Sequence, residues 1–335
     1  MIFIHRPKRL LFLYTLSTLL ALFSSLFFPL WSLLLGPLIY GIPHLYASLR
    51  YTHSCLSLTP HKPLKSSQSF LHLTSLFALI TVTRLWMYSK SITTDLLPFG
   101  ELLPEWTSFF LTLLACSFFY RASLSQFTRA LLLSLLILFL AWSFPLEIAG
   151  LLMLTHHIVG FFFWIHLSRS NPSELKIALT CSLLFILIHA VIFLGCFDTL
   201  YSLFTPAGEI SWANLEYSQL GQLIFPHAQE EHTWFHAVVA YSFGQSMHYF
   251  IWLKVIPDQN HYHATPPTFK QSLRFLLQDF NPFSLGVGIA LSLSLFLIWG
   301  FISYPTARSI YFILASYHGF MELAAATLLF RRSTS

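Results

Sequence analysis

The chain has 335 residues, of which 56% are apolar, 17% aromatic and only 9% charged, with a formal net charge of +5. Soluble globular domains carry roughly 25% charged residues, so this composition excludes a soluble globular protein and predicts an integral membrane protein. The small positive charge is scattered between apolar runs and forms no basic surface for nucleic acid, so we expect no nucleic-acid partner.

Long apolar runs recur from one end of the sequence to the other. Each has about 17 to 23 residues, which is enough to cross a hydrocarbon core of roughly 30 Å as a helix. The runs lack the alternating pattern of barrel strands. We therefore predict an all-α, polytopic membrane protein with about ten transmembrane helices, forming a single domain over residues 1–335. The predicted spans are 10–31, 33–52, 69–88, 105–120, 129–146, 147–168, 175–197, 233–256, 283–302 and 308–330.

The charged residues predict how these spans are oriented. Lys and Arg favour cytoplasmic loops, and most of the 18 basic residues fall on one side of the membrane if the N-terminus is cytoplasmic. Both termini are then cytoplasmic. The arrangement leaves an acidic outer loop at about 198–232 and an inner segment at about 257–282. Part of the inner segment has apolar residues at helical spacing with basic residues between them, which is typical of a helix lying at the membrane interface.

Histidines are numerous for so apolar a chain, with sixteen in all. Counting residues from the outer end of each span, at 1.5 Å per residue, gives their depth. His248 comes out about 18 to 22 Å below the outer edge, whereas His236 lies near that edge. Four others come out between roughly 12 and 17 Å below it, each on a different span: His44, His157, His189 and His318.

Imidazoles near the membrane midplane predict a metal site. Polar groups at that depth are costly and commonly line a functional cavity. Neutral imidazole suits iron, zinc and copper, whereas magnesium and calcium prefer oxygen ligands. We predict a site held by histidines of separate spans: His44, His157, His248 and His318.

The sequence leaves the roles of three further residues near this predicted site undecided. Neighbours on a helix point about 100° apart, so at most one of His156 and His157 aims at a common centre, and His156 stays an alternative. His189 is a fifth ligand, a partner of a ligand or an ordinary core residue. Glu322 follows His318 by four residues and therefore shares its helix face, either as a ligand or as an acceptor for a ligand N–H.

The common catalytic motifs do not occur in this sequence. There is no HExxH, no GxSxG and no phosphate-binding glycine loop, which disfavours proteases, hydrolases and nucleotide enzymes. The HxxHH box of the membrane di-iron hydroxylases is also absent, and one HxxxH, His232 to His236, lies at the outer side. We predict no catalytic residues beyond the metal ligands.

Four short segments resemble a known family. GIPH at 41–44 and YHGFME at 317–322 resemble the PHGxxD-type motifs of the Brp/Blh family of membrane β-carotene oxygenases. THHIVGFFFW at 155–164 and SMHYFIWLK at 246–254 resemble two other histidine segments of that family. The resemblance implies a bundle of membrane helices in the bacterial inner membrane. It also implies a non-haem iron bound by histidines, here His44, His156 or His157, His248 and His318.

This resemblance leads to an expected function with two alternatives. We expect a non-haem Fe(II) oxygenase, with zinc or copper as other metals, that acts on a long apolar isoprenoid or lipid entering from the bilayer. Its tunnel is expected to be lined by aromatic side chains: Phe161, Trp164, Tyr241 and Tyr249. The alternatives are a proton- or metal-ion-coupled transporter and a b-type haem protein with His157 and His248 as axial ligands.

Overall fold

The computed structural model describes only part of the chain. The described residues are 6–48, 128, 131–132, 135–136, 139–140, 143–200, 209–210, 215–216, 218, 220–221, 231–260, 282–301, 306–307, 310–311, 315, 318–319 and 322. The predicted spans 69–88 and 105–120 lie outside these residues, as do eight of the eighteen residues of 129–146 and most of 308–330 and of the inner segment 257–282. The chain divides into two compact units, residues 1–47 with 150–308 and residues 48–149 with 309–335. The prediction of a single domain stays a prediction.

Helices make up nearly all of the described structure. They are α1 (Arg6–Phe27), α2 (Pro29–Gly36), α3 (Pro145–Ser168), α4 (Pro172–Phe193), α5 (Glu231–Phe250), α6 (Ile256–Asn260) and α7 (Pro282–Phe301). Four of them begin at a proline, which suits the first turn because its missing N–H would have no helical partner there. The segment 198–232, which the sequence predicts to be an outer loop, also contains a two-residue antiparallel pair, β1 (Glu209–Ile210) and β2 (Leu215–Glu216), which the all-α prediction did not include.

Three of the described helices are long and apolar enough to cross a membrane: Lys8–Phe27, Pro29–Ser48 and Pro172–Phe193. Their outward faces carry large apolar side chains that are about half exposed, among them Leu19, Phe23 and Leu183. Lipid would cover such a surface, whereas water would make it unstable. The prediction of a helical, membrane-associated protein is therefore confirmed, and the number of about ten spans and the side of each terminus stay predictions.

Proline and glycine set two helix ends that the apolar pattern missed. The predicted boundary near residue 32 lies at Phe28, because proline at 29 disfavours helical dihedrals at the residue before it. Helix α4 ends before the predicted residue 197, since Gly195 has a φ of 71°. The N–H groups of Gly195 and Cys196 donate to carbonyls in the last turn of α4, which caps the helix in a Schellman motif.

Two π-helical segments flank the histidines of interest. One spans Pro37–Gly41, directly after α2, and the chain then continues as a helix to Ser48. The other spans Ile251–Val255, between α5 and α6. A π turn widens the helix and rotates the residues that follow it, and such turns are frequent at functional sites. His44 follows the first π segment and His248 precedes the second by three residues.

Helix α5 packs against α1, α2 and α4 and is therefore central to the first unit. Buried hydroxyl groups join its neighbours: Ser25 Oγ donates to Ser242 Oγ at 3.1 Å, and Tyr14 OH donates to the Cys181 carbonyl at 2.7 Å. These bonds satisfy polar groups in a setting where water is absent, so they hold the helices in a defined rotation. The α5 face that carries His248 is thereby fixed in the core.

Candidate metal centre

Three histidines from three separate helical stretches of the first unit come together. One ring nitrogen from each of His44, His156 and His248 lies within 4.8 Å of the other two. The ring centroids of His156 and His248 are 4.4 Å apart, and those of His44 and His248 are 5.3 Å apart. His44 and His248 are each 1% exposed. We call these three residues the histidine trio.

The trio has the size of a metal site. With metal–nitrogen bonds of about 2.0 to 2.1 Å, two ligand nitrogens lie about 3.4 Å apart in a tetrahedral site and at most about 4.2 Å apart in any site. Separations of up to 4.8 Å in the trio would therefore shorten by up to roughly 1.4 Å when a metal binds, through rotation of the rings. Neutral imidazoles with few charged neighbours suit iron, zinc or copper, so the donor set fits a transition metal without selecting one.

His44 follows the first π segment, which ends at Gly41, by three residues. A π turn rotates the residues that follow it, so this segment helps to set the direction of the His44 side chain. The ring of His44 packs against the rings of His248 and Tyr249.

The structure distinguishes between the adjacent histidines of α3. His156 belongs to the trio, and His157 turns toward Tyr241, with ring centroids 5.0 Å apart. The sequence prediction had placed His157 among the ligands, with His156 as the alternative. The two side chains point about 100° apart, and the rotation of α3 in the bundle directs His156 toward His248.

His157 and His189 instead lie side by side against Gly244 of α5. A β-carbon at position 244 would lie 2.6 Å from His157 Nδ1 and 3.2 Å from His189 Nε2. His189 Nδ1 lies 2.9 Å from the Phe185 carbonyl, one turn earlier on α4. Glycine at this position therefore lets two buried imidazoles pack against the α5 backbone, beside the trio.

Two of the four predicted tunnel residues contact these histidines. The Tyr249 ring lies 4.6 Å from the His44 ring, and its hydroxyl accepts a hydrogen bond from Gln245 Nε2 at 2.7 Å. Tyr241 contacts His157. The other two, Phe161 and Trp164, are fully buried and pack around Tyr14 and Phe185 in the core. A substrate tunnel along all four residues stays a prediction.

His318 and Glu322 belong to the second unit and form a buried pair there. His318 Nε2 lies 3.7 Å from Glu322 Oε1, and both side chains are almost completely buried. Ser48 of the same unit lies near the carboxyl group of Glu322. The two side chains therefore lie next to each other, as their spacing of four residues predicts. Their roles as a ligand and its partner stay predictions.

His236 has a different partner, near the N-terminal end of α5. Its Nε2 lies 2.7 Å from Asp198 Oδ1, in the chain directly after the Gly195 turn. This pair is separated from His248 by about 18 Å of helix rise. We expect His236→Ala to lower the free energy of unfolding by about 1 kcal/mol through the lost hydrogen bond, with the metal content unchanged. Loss of metal on the scale expected for a trio variant would contradict this separation.

The sequence analysis missed Gly160 and Trp252, which border the trio. Gly160 lies four residues after His156 on α3, and Trp252 four residues after His248, so each shares a helix face with a trio member. A β-carbon at Gly160 would lie 3.3 Å from Trp252 Nε1. That i,i+4 spacing is the signal in the sequence that could have revealed them.

Comparison of the chain with protein-family models, with curated proteins and with solved structures gives no match. The resemblance to the Brp/Blh family thus depends on the four short histidine segments alone and stays a hypothesis.

Proposed function

We propose that this chain is a membrane-embedded, metal-dependent oxidoreductase, and specifically a non-haem iron oxygenase that acts on a long apolar isoprenoid or lipid. The observation that carries the proposal is the histidine trio: nitrogens from three separate helical stretches lie within 4.8 Å of one another in an apolar core. Buried imidazoles are costly inside a membrane protein, and a shared cation gives their lone pairs a common partner.

The residues of the site would have different roles. His44, His156 and His248 would hold the metal, and three protein ligands leave coordination positions for small molecules. Iron, when bound, supplies the dioxygen chemistry. The buried aromatic side chains around the trio would exclude water and admit an apolar substrate, since few charged groups line this core. His318 as a fourth ligand remains a prediction from the depth of its span.

The trio argues against the haem alternative. Two axial histidines bind haem iron from opposite faces of a flat macrocycle. The expected axial pair, His157 and His248, has ring centroids 5.6 Å apart, and the ring of His156 lies 5.8 Å from the first and 4.4 Å from the second. The His156 ring would therefore occupy space that the macrocycle needs. The transporter alternative makes a different prediction, namely that the metal crosses the membrane and is not retained by the protein.

Metal analysis and an optical spectrum of the purified, full-length chain test the proposal. We expect about one iron per chain and no Soret band. A Soret band supports haem, and the absence of iron, copper and zinc contradicts any resident metal. Zinc alone would contradict an iron oxygenase. Uptake of metal into vesicles that contain the protein, without retention after purification, would favour the transporter.

Substrate oxidation forms the second part of the test. Iron-loaded protein in detergent is expected to consume dioxygen when a carotenoid is added, with a cleaved or oxygenated product that chromatography separates. The matched control is the His248→Ala variant, which keeps the same apolar core but lacks a trio ligand. Equal oxygen consumption by both proteins would contradict a role for the trio in the reaction.

A further inference from the structure

Helix α3 packs closely against α5 and the second π segment, starting at the trio. The ring centroids of His156 and His248 are 4.4 Å apart. One turn further along α3, a β-carbon at Gly160 would lie 3.3 Å from Ile251 Cγ2 and from Trp252 Nε1, so the two stretches are in direct contact there. Apolar packing has little directionality, and it therefore tolerates a shift of one helix along another better than a hydrogen bond does.

A polar contact joins the far end of α3 to the same neighbouring stretch. Ser168, the last residue of α3, is 1% exposed. Its Oγ donates a hydrogen bond to Gln259 Oε1 at 3.1 Å and accepts one from Gln259 Nε2 at 3.0 Å. Gln259 lies on α6, which continues α5 through the second π segment, and its Nε2 also donates to Glu174 Oε2 at 3.4 Å. The contact therefore connects the stretch that carries His156 to the stretch that carries His248.

This contact couples the register of α3 to the spacing of two trio histidines. It lies 12 residues after His156 and 11 residues after His248, which is about 16 to 18 Å of helix rise. Hydrogen bonds are short and directional, so a shift of α3 by the rise of one residue, about 1.5 Å, would break those of Ser168. Buried polar groups that lose a partner are costly, and single polar contacts in apolar interfaces specify register. The bonds of Ser168 therefore favour one register, in which His156 meets His248.

We propose that Ser168 and Gln259 are positioning residues for the metal, because their contact sets the register of α3 against α5 and hence the distance between His156 and His248. The inference rests on the proposed function in one respect, that the trio holds a metal. Metal–nitrogen bonds of about 2.0 to 2.1 Å require two ligand nitrogens within about 4.2 Å of each other, so a register shift of about 1.5 Å is enough to weaken binding. Both residues act through the helices, at a distance from the metal.

Titration of Co²⁺ into the full-length chain, purified in detergent and stripped of metal, tests this role. Ser168→Ala removes the hydroxyl, and Gln259→Met keeps the length of the side chain but removes its amide. We expect each variant to raise the Kd for Co²⁺ about tenfold, the low end of the range for groups that support a metal ligand. The visible bands of bound cobalt should also shift, since they report the ligand geometry. Because the two side chains form one contact, the double variant should lose no more affinity than either single variant.

Ser25→Ala is the matched control. Ser25 is 0% exposed and its Oγ donates to Ser242 Oγ at 3.1 Å, so this substitution also removes one buried hydroxyl that joins two helices. That bond connects α5 to α1, which carries no trio histidine. We expect Ser25→Ala to lower the thermal unfolding temperature about as much as Ser168→Ala, with the Kd for Co²⁺ and the cobalt bands unchanged. Ser168→Thr keeps the hydroxyl, and we expect its Kd to stay close to that of the unmodified chain.

The outcomes separate this inference from the proposed function. Failure of the unmodified chain to take up cobalt overturns both. Cobalt uptake with the same affinity in Ser168→Ala and Gln259→Met as in the unmodified chain overturns only the positioning role. An equal loss of affinity in Ser25→Ala and Ser168→Ala also overturns that role, because the effect would then follow from stability alone. So does a double variant whose loss is the product of the two single losses.

Discussion

His156→Ala is expected to lose the bound metal, whereas His157→Ala retains it. The first substitution removes one of the three nitrogens that lie within 4.8 Å of one another, and the second removes a ring that faces Tyr241 and Gly244. Loss of groups that only support a ligand weakens metal binding by about 10 to 100-fold, so loss of a ligand should cost more than about 100-fold.

Metal content per chain after dialysis against a chelator of known affinity measures this difference. The two variants form a matched pair, because they remove the same side chain from adjacent positions of one buried helix. Their thermal unfolding temperatures give the structural cost of each change. If His157→Ala loses the metal and His156→Ala keeps it, the rotation of α3 in the bundle is wrong, and the ligand preferred from the sequence is the right one.

Gly244→Ala is expected to lower the free energy of unfolding by about 1 to 3 kcal/mol, the range for adding a methyl group to a well-packed core. The added carbon would lie 2.6 Å from His157 Nδ1 and 3.2 Å from His189 Nε2, so both rings would have to move. Since His157 follows His156 directly, we also expect weaker metal binding.

Thermal unfolding of the purified chain in detergent measures the stability change, and metal content measures the change at the site. Gly286→Ala is the control, because its added carbon would have no neighbour within 4 Å among the described residues outside its own helix backbone and its chain neighbours. Replacing glycine in a helix by alanine stabilises it by up to about 1 kcal/mol, so this variant should be as stable as the unmodified chain or slightly more stable. Equal destabilisation by both substitutions would contradict a close packing of two imidazoles on α5.

Several features of the fold followed from local chemistry. The low content of charged residues and the long apolar runs were sufficient to predict membrane helices, because the bilayer leaves few other ways to satisfy the backbone. The end of α4 at Gly195 and the break at Phe28 depend on glycine and proline, whose effects are also local. The two-residue strand pair in the outer loop had no comparable signal, since so short a pair depends on its loop geometry.

The candidate site was partly determined by the sequence. Counting depth along the spans placed His44 and His248 deep in the membrane and His236 near its outer edge. In the structure, His44 and His248 meet in the trio and His236 pairs with Asp198. The depths themselves stay a prediction. Depth depends only on the rise per residue, which is nearly constant in a helix.

The depth of a residue does not decide the direction in which its side chain points. Adjacent residues such as His156 and His157 have almost the same depth and differ by a rotation of about 100°, which only the packing of α3 against its neighbours decides. The π segments add rotations that no apolar pattern reveals. The sequence by itself determined the membrane class and predicted the depth of the histidines. The tertiary structure decided which of them meet, because rotation and crossing of helices arise from contacts between residues far apart in the chain.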